Sequence, residues 1–311
     1  MVKSNHRKGL LGVDRDERQV RLRDLRVSKL TLLRYHDAGT AFCWLCHWHF
    51  GRYARDLEEL DSIGCEFVER CWEKCEARSV PSTTLAGVQH FLQRRRCLPR
   101  AWWLLNTWAL FDMPARAPPI PSPLLFALIG KALSEGLYGQ AAALAFCFAG
   151  FLRTGEMLQM QFRHIALFPE GAVVALPLTK MGRRRGAAEM VTVDCPVALC
   201  LFMRARGQCH LDEKLVFSPD FFRRWWRASI AALELDPDVW RPYGLRRGGA
   251  TEHFRRHGNL ESTMFKGRWT CTSTARVYLV EAMSLLASAQ IDLSSQVSAR
   301  LWVSYLRQFL Q

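Results

Sequence analysis

A chain of 311 residues exceeds what one core of common size organises, which suggests about two domains. With 49% hydrophobic and 23% charged residues, its composition is globular and excludes wholesale disorder. Lysine and arginine number 43 against 29 aspartates and glutamates, a formal net charge of +14, which favours a polyanionic partner: nucleic acid or an anionic membrane surface.

The membrane alternative weakens on inspection. No apolar run reaches the roughly 18 residues that span a bilayer, and the best candidate, Ala141 to Leu152, stops at Arg153. The first eight residues are polar and basic and lack the apolar core of a secretory signal. The chain therefore reads as intracellular, and as nuclear if its partner is DNA. Its 11 cysteines, odd in number and irregular in spacing, read as free thiols or small core residues.

In chain order, Leu22, Leu25, Leu30, Leu32 and Leu33 lie among arginines in a first helical stretch. A second helix is predicted from about Asp56 to Ala77. A third starts at Pro81-Ser-Thr-Thr84 and carries Leu85, Val88, Phe91 and Leu92 on one face. A fourth contains Trp102, Trp103, Leu104 and Trp108. No strand alternation interrupts this part, which predicts a small helical bundle with a basic outer face over residues 1–111. Residues 112–123 hold five prolines in twelve positions and read as a semi-extended linker. Ser122 and Pro123 then form an N-cap and N1 pair for a helix through Ser134, and a buried helix follows from Gln140 to Phe151. Strands are predicted at residues 172–179 and 189–193. Between them, Lys180-Met-Gly-Arg-Arg-Arg-Gly186 is a glycine-bounded hairpin tip with four cations. The remainder reads as helical, at about 196–206, 220–235, 245–257, 273–290 and 295–310.

Five separated features carry chemistry: Arg153 with Glu156 three residues on, Lys180 on the hairpin, Tyr243-Gly-Leu-Arg-Arg-Gly-Gly-Ala-Thr251, Gly267-Arg-Trp269, and Tyr278 nine residues after Trp269. Any one of them is ordinary in isolation; together they resemble the tyrosine recombinase (phage integrase) family, in a wording similar to its eukaryotic mobile-element members. The match runs from Arg153 to Tyr278. The resemblance implies a mainly α fold with a small β-sheet (α+β), pairing a helical core-binding-like domain with a mixed catalytic domain over residues 124–311. It implies a site-specific recombinase with Tyr278 as nucleophile and Arg153, Lys180, Arg246 and Trp269 around the phosphate, with Glu156 in support. Where the family has histidine, three residues before Arg246, this chain has Tyr243. A phenol donates hydrogen bonds but is a poor base near neutrality, so the departure bears on turnover.

The residue types suit that chemistry. Attack on a phosphodiester spreads negative charge over non-bridging oxygens, which two forked guanidiniums, Arg153 and Arg246, clamp bidentately. The Trp269 indole N–H adds a donor, Lys180 protonates the leaving 5′-oxygen, and Tyr278 forms a 3′-phosphotyrosyl bond. The cations make a metal or other cofactor unnecessary, and bond energy is conserved without ATP. Arg183, Arg184, Arg185 and Arg247 are expected on double-stranded DNA.

Rival signals are weaker. Cys43-Trp-Leu-Cys46-His47 fits a haem-attachment pattern but sits in an aromatic-rich helix without an export signal. Adding His49, Cys71 and Cys75 makes a poor zinc set. His253 and His257 are one helical turn apart without the zinc-protease carboxylate, and no phosphate-binding glycine motif is present. The apolar stripe of the last helix (Val297, Leu301, Trp302, Tyr305, Leu306, Phe309) fits packing on its own domain or docking on a neighbouring protomer in a DNA-bound tetramer, which is the expectation taken. Competing functions are a degenerate DNA-binding relative without catalysis and a type IB topoisomerase.

Overall fold

The computed structural model describes residues 27–112, 116–176, 189–207, 209–279, 285 and 297–310. The chain divides into two compact units, Met1–Ala115 and Arg116–Gln311.

The first unit is built from four helices: α1 (Lys29–Phe50), α2 (Leu57–Glu73), α3 (Ser79–Phe91) and α4 (Pro99–Phe111). Local chemistry sets their ends. The Ser28 side chain accepts from the Thr31 N–H to open α1, and Gly51, at φ 65°, closes it in the left-handed region. Asp56 caps α2 through the Glu59 N–H. Helix α1 packs on α3 and α2 on α4 around Phe42, Ile63, Val68, Leu85, Leu98, Leu105 and Trp108. One carboxylate lies in this core. Asp61 accepts the backbone N–H groups of Arg100 and Ala101, each at 3.0 Å, so it serves as an anionic cap on the free amides that begin α4. Cys46 and Cys71 are buried and Cys43 and Cys75 exposed, all as free thiols.

The second unit centres on α5 (Ser122–Ser134) and α6 (Tyr138–Ala149). Burial covers both helices nearly all round, as their alanine- and leucine-rich sequences dictate. Ser122 is the first helical residue of α5 rather than its cap, which falls on Pro121. After the short α7 (Thr154–Met157) comes an antiparallel sheet in the order β1 (Ile165–Phe168), β2 (Gly171–Leu176), β3 (Glu189–Val193). Its register places Ile165 opposite Val174 and Val174 opposite Val191, one buried row against the core. Then follow α8 (Pro196–Arg206), α9 (Pro219–Ala231), α10 (Gly244–His257), α11 (Leu260–Gly267), α12 (Thr272–Tyr278) and α13 (Val297–Leu310).

Two elements escape the sequence reading. Strand β1 buries only Ile165, so it shows no alternation to read. Helix α11 is only eight residues long, although Asn259 caps it through the Ser262 N–H. The predicted helix at 273–290 is described only as α12.

The second half of the proline-rich stretch is more than a linker. Ile120 is fully buried, and its N–H donates to the Gly244 carbonyl at 3.0 Å. The segment is a strap across α10, and the pair Gly248-Gly249 explains how it fits. A Cβ at Gly248 would stand 2.0 Å from the Ile120 oxygen, and one at Gly249 1.9 Å from the Phe148 oxygen. Only hydrogen at these positions lets α10 lie between the strap and the end of α6.

The last helix, α13, lies along α5 of its own unit with Ala299, Trp302 and Leu306 buried. Lys131 stands 4.9 Å over the Trp302 ring. Val297, Leu301 and Tyr305 remain on the outside. No helix among the described residues is long and apolar enough to cross a membrane.

Candidate active site

The site forms where the end of α6, α7, α10, α11 and α12 meet. After Gly150 the chain turns through Phe151, which holds φ 49°, a left-handed conformation uncommon for a side chain of this size. The turn leaves the Phe151 carbonyl free to accept from Arg246 on α10.

Arg153 begins α7. Glu156 reaches back to it twice, accepting the Arg153 N–H at 2.8 Å and its Nη1 at 2.6 Å. The other neighbour of Glu156 is Arg268, whose Nη2 donates at 2.8 Å. Burial alone would raise the Glu156 pKa, but the charge and hydrogen bond of Arg268, joined by Arg153, hold it below the usual carboxylate range. Glu156 thus stays ionised and fixes the two guanidiniums.

Arg246 is the buried floor. It is 1% exposed, and its amino groups donate to the carbonyls of Phe151 and Gly267, the latter at 2.7 Å. Its Nε is buried without a hydrogen-bond partner. Burial, with Arg153 and Arg268 nearby, pulls its pKa down to about 10, which still leaves it charged near neutrality. The guanidinium carbon lies 5.1 Å from the Trp269 ring and 5.3 Å from the Tyr278 ring. Trp269 is sandwiched between Phe151 and Tyr278, with the Tyr278 ring 4.7 Å away at 27°. Thr251 Oγ1 anchors the Tyr278 carbonyl at 3.0 Å. The Tyr278 hydroxyl is hydrogen-bonded to the Tyr243 hydroxyl.

Arg153, Glu156, Tyr243, Arg246, Trp269 and Tyr278, dispersed over 126 positions of sequence, are therefore brought together. Lys180, Arg183, Arg184 and Arg185 lie outside the described residues. Arg247 is a correction. Expected on DNA, it is 3% exposed and donates to the carbonyls of Ala117 at 2.5 Å and Val277 at 3.1 Å. Its work is to tie the strap and the segment before Tyr278 to α10. One residue one position along the helix, about 100° round, faces a different neighbour.

Arg268 was missed as a site residue. It holds φ 58° at the end of α11, and its Nη1 lies 3.4 Å from Glu189 at the root of the β2–β3 hairpin. It thereby links that hairpin's base to Glu156. The sequence offered one signal, a cation held between Gly267 and Trp269 where a helix has to stop. Among the described residues, no group of three or more histidine, cysteine or acidic side chains is placed to hold a metal.

The arrangement places two guanidiniums, Arg153 and Arg268, on one shared carboxylate and a third, Arg246, on backbone carbonyls beside a phenol. Arg153, whose side chain is 34% exposed, offers the accessible charge, so the site suits an anion with an electrophilic centre near Tyr278.

No protein-family model and no curated protein matches the chain. Solved structures do. The chain is similar to the XerH site-specific recombinase bound to palindromic difH substrate in a post-cleavage complex, with TM-score 0.51 and 12% identity over 84% of this chain and 78% of that one. It is likewise similar to the Tn1549 transposon integrase in complex with circular intermediate DNA, with TM-score 0.50 and 12% identity over 84% of this chain and 99% of that one. The fold, mainly helical with a small antiparallel sheet, is that of the tyrosine recombinases.

Proposed function

We propose that this chain is a DNA strand-cleaving and rejoining tyrosine recombinase. The observation that carries the reading is the stacking of Tyr278 on Trp269 with the Arg246 guanidinium 5.3 Å from its ring. A phenol, a buried fixed cation and the more accessible Arg153 meet there, as attack on a phosphodiester requires. Neighbours of the same fold are a recombinase and an integrase in complex with DNA.

In this reading a backbone phosphate enters beside Tyr278, and Arg153 and Arg246 take up charge on its non-bridging oxygens. The Trp269 indole N–H supplies a further donor. The Tyr278 oxygen bonds to phosphorus, the bond to the 5′-oxygen breaks, and Lys180 delivers a proton to that oxygen. A second DNA hydroxyl reverses the step on a new strand. The cations come from side chains, so neither metal nor ATP is required. The first unit supplies DNA contacts, Arg183, Arg184 and Arg185 hold phosphates, and the working form is a tetramer on nuclear DNA.

The test is incubation with nicked suicide duplexes that trap the intermediate. A covalent protein–DNA adduct is expected from the parent chain, and its persistence in Tyr278→Phe would refute the assigned nucleophile. A second reading has its own observation: Arg246 already gives both amino groups to backbone carbonyls, and Tyr243 stands in the histidine place. Binding without any adduct would favour that non-cutting relative. Relaxation of supercoiled plasmid without sequence preference would favour a topoisomerase.

A further inference from the structure

The hydroxyl–hydroxyl bond between Tyr243 and Tyr278 calls for a role of its own. A single hydrogen lies between the two oxygens, so one phenol donates and the other accepts. The surroundings decide which. Tyr243 stands immediately before α10, whose first residue, Gly244, is fastened to Ile120 by a backbone hydrogen bond. Burial, then the neighbouring Tyr278 hydroxyl, push the Tyr243 pKa up to about 12, so it keeps its proton throughout the range in which DNA chemistry runs. A group that keeps its proton is a poor base and a lasting donor. Tyr278, in contrast, has its ring clamped between Trp269 and the Arg246 guanidinium, and only its hydroxyl has rotational freedom left to settle.

We propose that Tyr243 is a positioning residue for the nucleophile: its O–H donates to the Tyr278 oxygen, fixes that oxygen's lone pairs, and stabilises the negative charge that gathers there as the Tyr278 proton leaves. The inference rests on the recombinase reading and deepens it, since it gives the replaced histidine's place a different task. Tyr243 points at the attacking oxygen, not at the phosphate. In the step itself the Tyr278 oxygen forms its bond to phosphorus, the bond from phosphorus to the 5′-oxygen breaks, and the Tyr278 proton passes to solvent. Tyr243 neither gains nor loses a proton. A donor hydrogen bond to an oxygen gaining negative charge is of the charge-assisted class, shorter and stronger than one between neutral groups.

Other charges also face this pair, and the test has to separate them. Among the described residues they are Arg246 and Arg247 on α10 and Arg153 at the head of α7. Arg268 and Glu156 stand beside Arg246, and Arg116 beside Arg247. All of these are unchanged in Tyr243→Phe, which removes one oxygen and keeps the ring. Tyr243 is 42% exposed, so the variant retains the fold.

Single-turnover cleavage of a suicide duplex is measured against pH for the parent chain and Y243F. The expected result is a roughly 10- to 100-fold slower cleavage near neutrality with unchanged DNA affinity, and a rising limb displaced upward in pH. A merely structural residue would lower the rate without displacing the limb. An unchanged rate and profile would overturn the proposal. A second measurement needs no catalysis. With 13C at the hydroxyl-bearing ring carbon of tyrosine, the Tyr278 signal of the DNA-free protein should move in Y243F at one fixed neutral pH, because the hydrogen bond between the two hydroxyls is gone. An unmoved signal overturns the pairing even if no duplex is ever cut, whereas absence of any adduct from the parent chain sinks only the recombinase reading.

Discussion

The two units use tryptophan differently. The second holds Trp225, Trp226, Trp240, Trp269 and Trp302, every one of them buried. The first buries Trp108 in its core but turns Trp44, Trp48, Trp72 and Trp103 to the outside, Trp48 with 87% of its surface exposed. The contrast extends to charge. The second unit buries Arg246 and Arg247 and satisfies them with backbone carbonyls, while the charge buried in the first, Asp61, serves as a helix cap. A site that has to hold fixed cations against a phenol needs a rigid surround, and the second unit supplies it by close backbone packing. The exposed aromatic side chains of the first unit give it apolar surface that the second unit keeps inside.

The sharpest way to break this contrast is at the close approaches. Gly249→Val drives a branched side chain into the Phe148 carbonyl and is expected to cost the second unit more than about 3 kcal/mol, with the first unit's unfolding transition unmoved in a denaturant titration. Next come the adjacent arginines. Arg246→Ala is expected to lower the adduct-forming rate roughly 100- to 1,000-fold. Arg247→Ala should instead lower stability by about 2 kcal/mol, because the Ala117 and Val277 carbonyls lose a charged donor, and leave the salt slope of DNA binding unchanged. Equal effects of the two on stability and on rate would erase the distinction drawn between them.

These arginines show what the sequence could and could not reveal. The meeting of Arg246, Trp269 and Tyr278 could be expected from their types, order and spacing in the sequence. The helices of the second unit were legible too, since α5 and α6 are apolar nearly all round. Arg247 was not, because the rotation between consecutive helical positions decides whether a cation meets solvent or a buried carbonyl. Arg268 was hidden in its role because it depends on a left-handed residue and on Glu189, 79 positions away in sequence. The seat of α13 depended on Gly130, where a Cβ would stand 1.7 Å from the Trp302 oxygen. No local pattern announces such a pairing.

Smaller effects sharpen the comparison. His253 lies against Phe151 and is hydrogen-bonded to Thr263 at 2.9 Å. Burial, with Lys266 and His257 nearby and Asp194 opposing them, depresses its pKa to about 4 from an ordinary 6.5. The unfolded chain therefore takes up a proton first as pH falls. The stability tied to His253 is complete above about pH 6.5 and drains away between there and about pH 4. Thermal unfolding followed over this range should show that decline for the second unit, and His253→Asn should flatten it. Smallest of all, Trp48→Ser in the first unit should change stability by no more than about 0.5 kcal/mol, measured by the same titration.

The central claim is most directly tested by mapping a trapped DNA adduct onto the chain. After trypsin and nuclease digestion, mass spectrometry should find the nucleotide on the peptide of residues 277–300, attached at Tyr278. A nucleotide on the peptide ending at Arg246, or on any other residue, would contradict the account.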